Sequence, residues 1–523
     1  MNQQLELRLS PEEAGNISSI RTAVAHRLGT PNDASLAVRI RRKSIDARGR
    51  VIHVNLLLDV WVNEQPPTSC YENEYHYGNV SNGQPVVIVG SGPAGLFCAL
   101  RLIEYGFKPI LLERGKEVLE RKKDIALQNR NAAFNEESNY CFGEGGAGTF
   151  SDGKLYTRSN KRGNIRRVLE IFHQHGAQDS ILYESHPHIG TDRLPDVIRS
   201  MKRQIIDCGG EVHFGAKVTD LLIEDGIAKG VQLLSGDTIR GVAVVLATGH
   251  SARDIYAMLC SKGITVEPKG FAMGVRVEHP QPLIDAIQYH RKRRGDYLPA
   301  ASYNVVDQVA NRGVYSFCMC PGGYIVPAST ERDGVVVNGM SSSARNSQWA
   351  NSGIVVEIRP EDLAHYHQYG PLCGLEFQKQ VEQMAKANSE TDLQSAPAQR
   401  LTDFVEGKLS SDLPACSYIP GIESSPMHSW LPAIVGDRLR EGFKRFDKKM
   451  HGYLTREAVV VGVESRSSSP LRIPRDSESR EHIQIKNLYP CGEGSGYAGG
   501  ITSSAMDGEI VAEKIAERYG AKA

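Results

Sequence analysis

Residues 85–115 read "PVVIVGSGPAGLFCALRLIEYGFKPILLERG". "VVIVG" is a short, β-branched apolar run, the pattern of a strand buried on both faces. Gly90, Gly92 and Gly95 then spell G-x-G-x-x-G. "PAGLFCALRLIEYG" has helical apolar spacing and closes at Gly106, a residue suited to a helix C-terminus. "KPILLE" is a second strand that ends in Glu113. Strand, glycine turn, helix, strand and acid, with the acid about 20 residues past the turn, is the order that binds a dinucleotide. Gly90 allows the tight turn, Gly92 lets the backbone approach a pyrophosphate, and Gly95 lets the helix pack close to the strand. The helix N-terminus turns free N–H groups and a partial positive charge toward the phosphates. Glu113 is placed to accept from ribose hydroxyls. Pro93, Ala94 and Arg114 complete this candidate nucleotide set. The loop by itself leaves FAD and NAD both open.

Three later segments bear on that choice. "CFGEGGAGTFSDGKL" (141–155) is glycine-rich. "GVAVVLATGHSARD" (241–254) is a buried strand ending in Ala-Thr-Gly. "NLYPCGEGSGYAGGITSSAMDGEIVAEKIAERYG" (487–520) is a short strand, a glycine-dense loop with one acid, and a terminal helix. Together with the first loop they resemble the two-dinucleotide-binding-domain flavoproteins, in the branch that binds FAD through a split Rossmann domain. More closely, the chain resembles a group of bacterial FAD-dependent dehydrogenases. The resemblance runs over residues 85–523 and is strongest in "GGAGTFSDGKL", "HIGTDRLPDVIR", "SFCMCPGG", "VESRSSSPLRIPRD" and "CGEGSGYAGGITSSAMDG".

The resemblance implies roles for particular residues. Gly90, Gly92, Gly95 and Glu113 match the ADP site. Gly145, Gly146 and Ala147 match a loop along the flavin or ribityl chain, and Thr248 and Gly249 match a strand end beneath the cofactor. Gly492 and Glu493 match the ribityl–pyrophosphate position, where many relatives carry Asp. Gly499, Gly500 and Ile501 open the last helix, whose N–H groups would face flavin N1 and O2, where negative charge develops on reduction. The implied cofactor is non-covalent FAD.

Residues 186–250 hold no second strand–loop–helix unit that carries G-x-G-x-x-G. They read instead as a helix, "DRLPDVIRSMKRQIIDCG", and two strands, "EVHFGAKVTDLLIEDG" and "KGVQLLSGDTIRG". NADH or NADPH, if either is the electron donor, would bind without a Rossmann domain of its own. The expected fold is α/β: a split Rossmann-like FAD-binding domain with an inserted mixed α+β cap domain and a small N-terminal α+β domain. The expected boundaries are 1–65 for the N-terminal domain, 66–84 for a linker, 85–262 for the first part of the FAD-binding domain, 263–456 for the cap and 457–523 for the return.

Arg39, Arg41, Arg42, Lys43, Arg48 and Arg50 give the N-terminal piece a basic face. A solvated or interdomain-docking face is expected ahead of a nucleic-acid contact, since no recognised binding motif accompanies the charges. In the cap, "VGD" (435–437) lies inside a helical pattern, so it does not match the Gly-Asp motif of flavin hydroxylases. In the return segment, Arg466, Ser468, Ser469, Arg472 and Arg475 cluster guanidinium and hydroxyl groups. They are candidates for an anionic or carbonyl substrate, or equally a return loop held by local contacts. His186, His188 and His250 lie near flavin-binding segments, and none of them is assigned as a catalytic acid or base. Cys318 and Cys320 in "SFCMCPGG" would share one face of a regular strand, with Cα atoms about 6.6 Å apart. Such a pair reads as thiols packing that face, with a redox-active dithiol as the sharper alternative.

The bulk properties agree. The 523 residues exceed one ordinary core, and 40% hydrophobic with 23% charged residues suits a soluble globular protein. The formal net charge is zero, so no global field favours nucleic acid or an anionic membrane. The first residues lack a signal-peptide pattern, no apolar run is long enough to span a bilayer, and ten scattered cysteines suit a reducing, cytoplasmic setting. The expected activity is hydride transfer between a small molecule and flavin N5. A flavoprotein acting on tRNA, or a flavin-bearing electron-transfer or sensor protein, is the alternative. Composition is silent on oligomeric state.

Overall fold

The computed structural model describes residues 2–67, 73–157, 163–389 and 394–520. Part of the expected linker, with Cys70, lies outside the described residues.

A five-stranded parallel sheet forms the centre. Its strands are β1 (Pro85–Val89), β2 (Lys108–Leu112), β3 (Glu211–His213), β4 (Ala243–Leu246) and β5 (Leu488–Pro490), in the order β5-β4-β1-β2-β3. Side chains alternate across it. Val86 and Ile88 face a layer with α1 (Pro93–Glu104) and α2 (Ile501–Tyr519), and Val87 and Val89 face the layer beneath. That lower layer is an antiparallel meander, Val218–Glu224, Ile227–Leu233 and Thr238–Arg240, with the helix Arg253–Ser261. Covering on both faces is why β1 and β4 are apolar almost throughout. The helices α1 and α2 cross at Gly508, where a Cβ would lie 2.2 Å from the Ala94 carbonyl oxygen. Because β5 and α2 come from the end of the chain, the domain closes only there.

The run expected as one strand at 211–226 is divided. Glu211–His213 joins the edge of the parallel sheet, and Val218–Glu224 opens the meander. A three-residue edge strand leaves no periodic signal by which sequence could separate it.

The cap is built on a seven-stranded sheet, in the order Val306–Val309, Arg312–Cys320, Trp349–Ile358, Phe271–Pro280, Val459–Glu464, Ala396–Arg400, Ile422–Ser424. Helix Ala433–Lys449 packs Val435, Leu439, Phe443 and Phe446 into the core shared with this sheet, and Gly436 and Asp437 lie inside that helix. The boundary expected at 457 is corrected. Val459–Glu464, buried along its length, sits in the middle of the cap sheet, and the chain leaves the cap only after it. An apolar strand needs cover on both faces, and the cap's helices supply it.

Two crossings join the cap to the parallel-sheet domain, and they pair with each other. Glu267–Pro268 on the way in lies antiparallel to Leu471–Arg472 on the way out, and Lys269 N donates to Pro470 O at 2.9 Å.

The N-terminal domain is a three-stranded antiparallel sheet, Asn2–Leu9, His53–Val62 and Leu36–Asp46 with His53–Val62 central, covered by the helix Ile17–Leu28. It docks through Lys43, whose N–H donates to Tyr183 O at 2.8 Å and whose carbonyl accepts from Ser185 N at 3.0 Å. Part of the basic face is neutralised within the domain, by Arg41 with Asp59 at 3.1 Å and Arg48 with Asp46 at 2.8 Å. Among the described residues no helix is long and apolar enough to cross a membrane.

Candidate functional site

A cleft opens at the carboxyl ends of β1 and β4, where ligands bind in open parallel sheets. The N-termini of α1 and α2 both open on it. Their N-caps are Gly92 and Gly500, neither of which supplies a capping side chain, and neither helix has an acid in its first turn. Their first N–H groups therefore turn two partial positive charges into one cleft.

Gly90, Gly92, Pro93, Ala94, Glu113, Arg114, Gly146, Ala147, Thr248, Gly249, Glu493, Gly499, Gly500 and Ile501 all line this cleft. Gly95, Gly145 and Gly492 stand behind it and shape it. A Cβ on Gly95 would lie 2.0 Å from Gly90 O, so its absence lets α1 pack on β1. Gly90 has φ +107°, and a Cβ there would lie 2.4 Å from Ala247 O on β4's exit. Gly492 N donates to Asp507 Oδ2 at 2.8 Å.

Glu113 is buried, and its two oxygens accept four hydrogen bonds from the protein. Oε2 takes Ser91 N at 3.1 Å and Ser91 Oγ at 2.8 Å; Oε1 takes Gly115 N at 2.9 Å and Gly143 N at 3.0 Å. A carboxylate has about four acceptor positions, so Glu113 is first the pin of the glycine turn and the 143 loop. Arg114 pairs with Asp254 at 2.7 Å and lies over the Phe142 ring at 4.5 Å. Beneath the loop, the buried Arg121 donates to the carbonyls of Asn139, Tyr140 and Glu144.

At the other end of the cleft, Glu493 Oε2 lies 3.6 Å from His250 Nε2. Burial pushes the Glu493 carboxyl up to about 7, against the Gly500 N–H and Lys269, which favour its charge. Burial, with Arg466, Lys269 and Arg253 nearby, pulls His250 down to about 4.

The substrate candidates are largely redirected. Arg466 lines the cleft, but Glu382 grips it through Nε at 3.0 Å and Nη2 at 2.8 Å, and Nη1 donates to Thr330 Oγ1 at 2.6 Å. Ser468 does not line the cleft; its neighbour Ser467 does. Ser469 is buried, with its hydroxyl donating to Leu471 O at 2.8 Å. Arg472 points outward beside Tyr497, 5.5 Å from the ring centroid. Arg475 is locked to Asp507 at 2.6 and 2.9 Å. The segment is mostly a return loop held by local contacts, because its polar groups find partners within the fold before they reach the cleft.

The wall opposite the glycine turn comes from the cap and from the 151–156 loop: Asp152, Lys154, Tyr156, Phe317, Cys318, Cys320, Asn338 and Gly339. Lys154 Nζ lies 3.3 Å from Asp152 Oδ2, itself held by Arg345 at 2.6 and 3.1 Å. Burial opposes the Lys154 charge most, but Asp152 together with the two cysteine sulfurs overcomes it and the ammonium is stabilised. The strand carrying the two cysteines is irregular: Phe317 pairs with Gly353 and Cys320 with Asn351, leaving one extra residue between. Cys318 takes φ +46° there. The regular-strand geometry expected for the pair is thus replaced by a bulge. His186 lies beside Tyr156 with ring centroids 4.9 Å apart and the rings tilted at 57°, and His188 lies 3.1 Å from Ser343 O. Neither lines the cleft, whereas His250 does. Lys154, Asp152 and Arg345 were missed as site residues. Lys154 stands in "SDGKL", yet only the fold brings Arg345 beside it.

Among the described residues no cluster of three or more His, Cys, Asp or Glu could hold a metal ion. The donor set suits a dinucleotide: two uncapped helix N-termini, and glycines where a Cβ would fill the cradle.

Known proteins resemble the chain in sequence and in fold. A family profile described as "FAD-dependent protein, C-terminal domain-like" matches residues 270–467, and one described as a domain of unknown function matches residues 1–61. An uncharacterized protein of Clostridium beijerinckii is 43% identical over 437 residues, 83% of this chain and 81% of that protein. A fumarate reductase (CoM/CoB) polypeptide from Methanothermobacter marburgensis is 26% identical over 273 residues, 47% of this chain and 48% of that one. Among solved structures, L-proline dehydrogenase from P. horikoshii aligns with 15% identity over 83% of this chain and 94% of that one, at a TM-score of 0.33.

Proposed function

We propose a function that starts from kinship: the chain belongs to the family of FAD-dependent proteins represented by its C. beijerinckii relative and by the domain at residues 270–467. In our reading it is an FAD-dependent oxidoreductase, a dehydrogenase or reductase, acting on a small molecule held between the cofactor and the cap wall. FAD, bound without a covalent bond, would supply the site that accepts or gives a hydride. The observation that carries this reading is the convergence of two uncapped helix N-termini on one cleft. The α1 end, with Gly90 and Gly92, is suited to the pyrophosphate. The α2 end, with Gly499 to Ile501, is suited to the flavin edge where negative charge develops on reduction. Pro93, Ala94, Gly95, Glu113, Arg114, Gly145, Gly146, Ala147, Thr248, Gly249, Gly492 and Glu493 line or brace the path between them.

The chain's own side chains would then orient and exclude. Phe317 and Tyr156 shield the cap side, and Lys154 presents a cation to substrate. NADH or NADPH is the proposed electron donor, reaching the same cleft from the cap side.

The test is direct. The purified protein should be yellow, and acid precipitation should release free FAD. Anaerobic addition of NADH and NADPH, followed by a metabolite panel, should bleach the flavin with at least one donor. A colourless protein that stays empty after incubation with FAD would sink this reading.

A further inference from the structure

Cys320 is a buried thiol with two cationic neighbours. Lys154 Nζ lies 3.7 Å from its sulfur and Arg276 Nη2 3.5 Å. Packing alone does not call for this. Cys98 and Cys491 are equally buried, and burial with the Asp507 carboxylate nearby raises both thiols above the ordinary value. At Cys320 two cations face the sulfur instead, and its S–H donates to Cys318 O at 3.3 Å.

Cys318 is treated as specially. It occupies the bulge with left-handed backbone, a conformation a β-strand cysteine has no intrinsic reason to adopt. Arg276 holds it there. The guanidinium is fully buried, pairs with Glu464 at 3.0 Å, donates through Nε to Asn351 Oδ1 at 2.9 Å and through Nη2 to Cys318 O at 2.7 Å. The same Nη2 thus touches Cys318 O and Cys320 Sγ. Gly339 leaves room for it, since a Cβ there would lie 2.1 Å from that nitrogen. Met319, between the cysteines, turns into the cap core, while Cys318 and Cys320 both line the cleft. Cys318 is exposed, whereas Cys320 is buried. The two sulfurs are therefore unlike. The pair also lies near α2: Thr502 in its first turn donates to Leu155 O at 2.7 Å, next to Lys154.

We propose that Cys318 and Cys320 form a dithiol–disulfide couple that exchanges two electrons with the flavin of this cleft. Two S–H bonds break and one S–S bond forms. The two electrons and two protons pass to oxidised FAD, giving reduced FAD, and the reverse step regenerates both thiols. Cys320 is the attacking sulfur and Cys318 the partner that closes the bond. The inference rests on the FAD reading above and adds a second redox centre to it. It also favours disulfides or other sulfur electrophiles as the substrate class on the cap side.

The full-length FAD-loaded protein, exposed to diamide and then freed of it, is titrated anaerobically with dithionite while flavin absorbance is followed. Four electrons per FAD are expected in the wild type and two in C318S/C320S. Mass spectrometry of the oxidised wild type should show a 318–320 bridged peptide, two hydrogens lighter. On the reduced protein without added substrate, Cys320 should be alkylated by iodoacetamide faster than Cys98 or Cys491, and Lys154→Met should slow that reaction severalfold. Two electrons per FAD in the wild type, with no bridged peptide, would overturn the couple and leave the flavoprotein reading standing. A protein that holds no FAD would overturn both. If the double variant does not fold, the wild-type electron count and peptide mass decide alone.

Discussion

Arg466 and Glu382 meet in a buried two-point pair, Nε to Oε1 at 3.0 Å and Nη2 to Oε2 at 2.8 Å, and Arg253 closes on the same carboxylate at 2.8 Å. Glu382 is on the cap helix Cys373–Ala387, Arg466 is on the return segment, and Arg253 opens a helix under the parallel sheet. The carboxylate thus ties the cap to two segments that flank the cleft.

Arg466→Met should cost about 3 kcal/mol, the lower end for breaking a buried pair, because Arg253 remains to hold the charge. The shift of a denaturant midpoint measures it. Burial alone would raise the Glu382 carboxyl, but Arg253 and Arg466 overcome it and hold it at about 2. A folded value below the ordinary 4.5 contributes stability that is present above pH 4.5 and is lost as pH falls toward 2. The variant should show a shallower loss across that window, and an identical acid profile would contradict the assignment.

Glu113→Ala should weaken FAD binding and also destabilise the flavin-free protein. Four donors, Ser91 N, Ser91 Oγ, Gly115 N and Gly143 N, lose their acceptor, with a cost on the order of 1–3 kcal/mol for a buried donor left unmet. The absorbance maximum of any flavin retained should not move. Normal thermal stability of the flavin-free variant would show that these four bonds are dispensable.

Glu493 carries the opposite pH signature. Its folded value, about 7, lies above the ordinary 4.5, so its contribution is fully present below pH 4.5 and is lost as pH rises through 7. Glu493→Gln removes that loss. The thermal midpoint of the flavin-free variant should gain on the wild type between about pH 5 and pH 8. Glu278 and Glu509 are also raised by burial to about 7, so the difference between the two proteins, and not either slope, is the readout. A constant difference across the range would count against a proton-holding Glu493.

Gly90→Ala should abolish FAD uptake. A Cβ would stand 2.4 Å from Ala247 O, a backbone atom of the adjacent strand exit, and φ +107° strains any L side chain. Retention of FAD at wild-type affinity would refute the tight turn at this position.

The sequence made the parallel sheet legible where the pattern is local. The strand, glycine turn, helix and acid at 85–113 fix one another within about thirty residues, and the glycines there line or brace the cleft. What depends on distant partners was not legible. Glu113 reads as a ribose ligand until Gly143 arrives from another loop. Ser468, Ser469 and Arg472 stand in a polar run whose side-chain directions depend on a turn that only the return path sets. Val459–Glu464 is an apolar run that suits any buried strand, and which sheet receives it is a tertiary choice. The bulge at Cys318 needs the register against Trp349–Ile358, which no periodicity in "SFCMC" reveals.

The paired crossings, Glu267–Pro268 against Leu471–Arg472, bear on how the molecule can move. Two separate tethers would let a lid twist, slide or tilt. Two strands hydrogen-bonded to each other act as one leaf, which bends about the line across the ribbon and resists shear along it. Any tilt of the cap must therefore bend this ribbon and part Glu382 from Arg253. The position of the cysteine-bearing wall over the helix ends is set by the same ribbon and the same carboxylate.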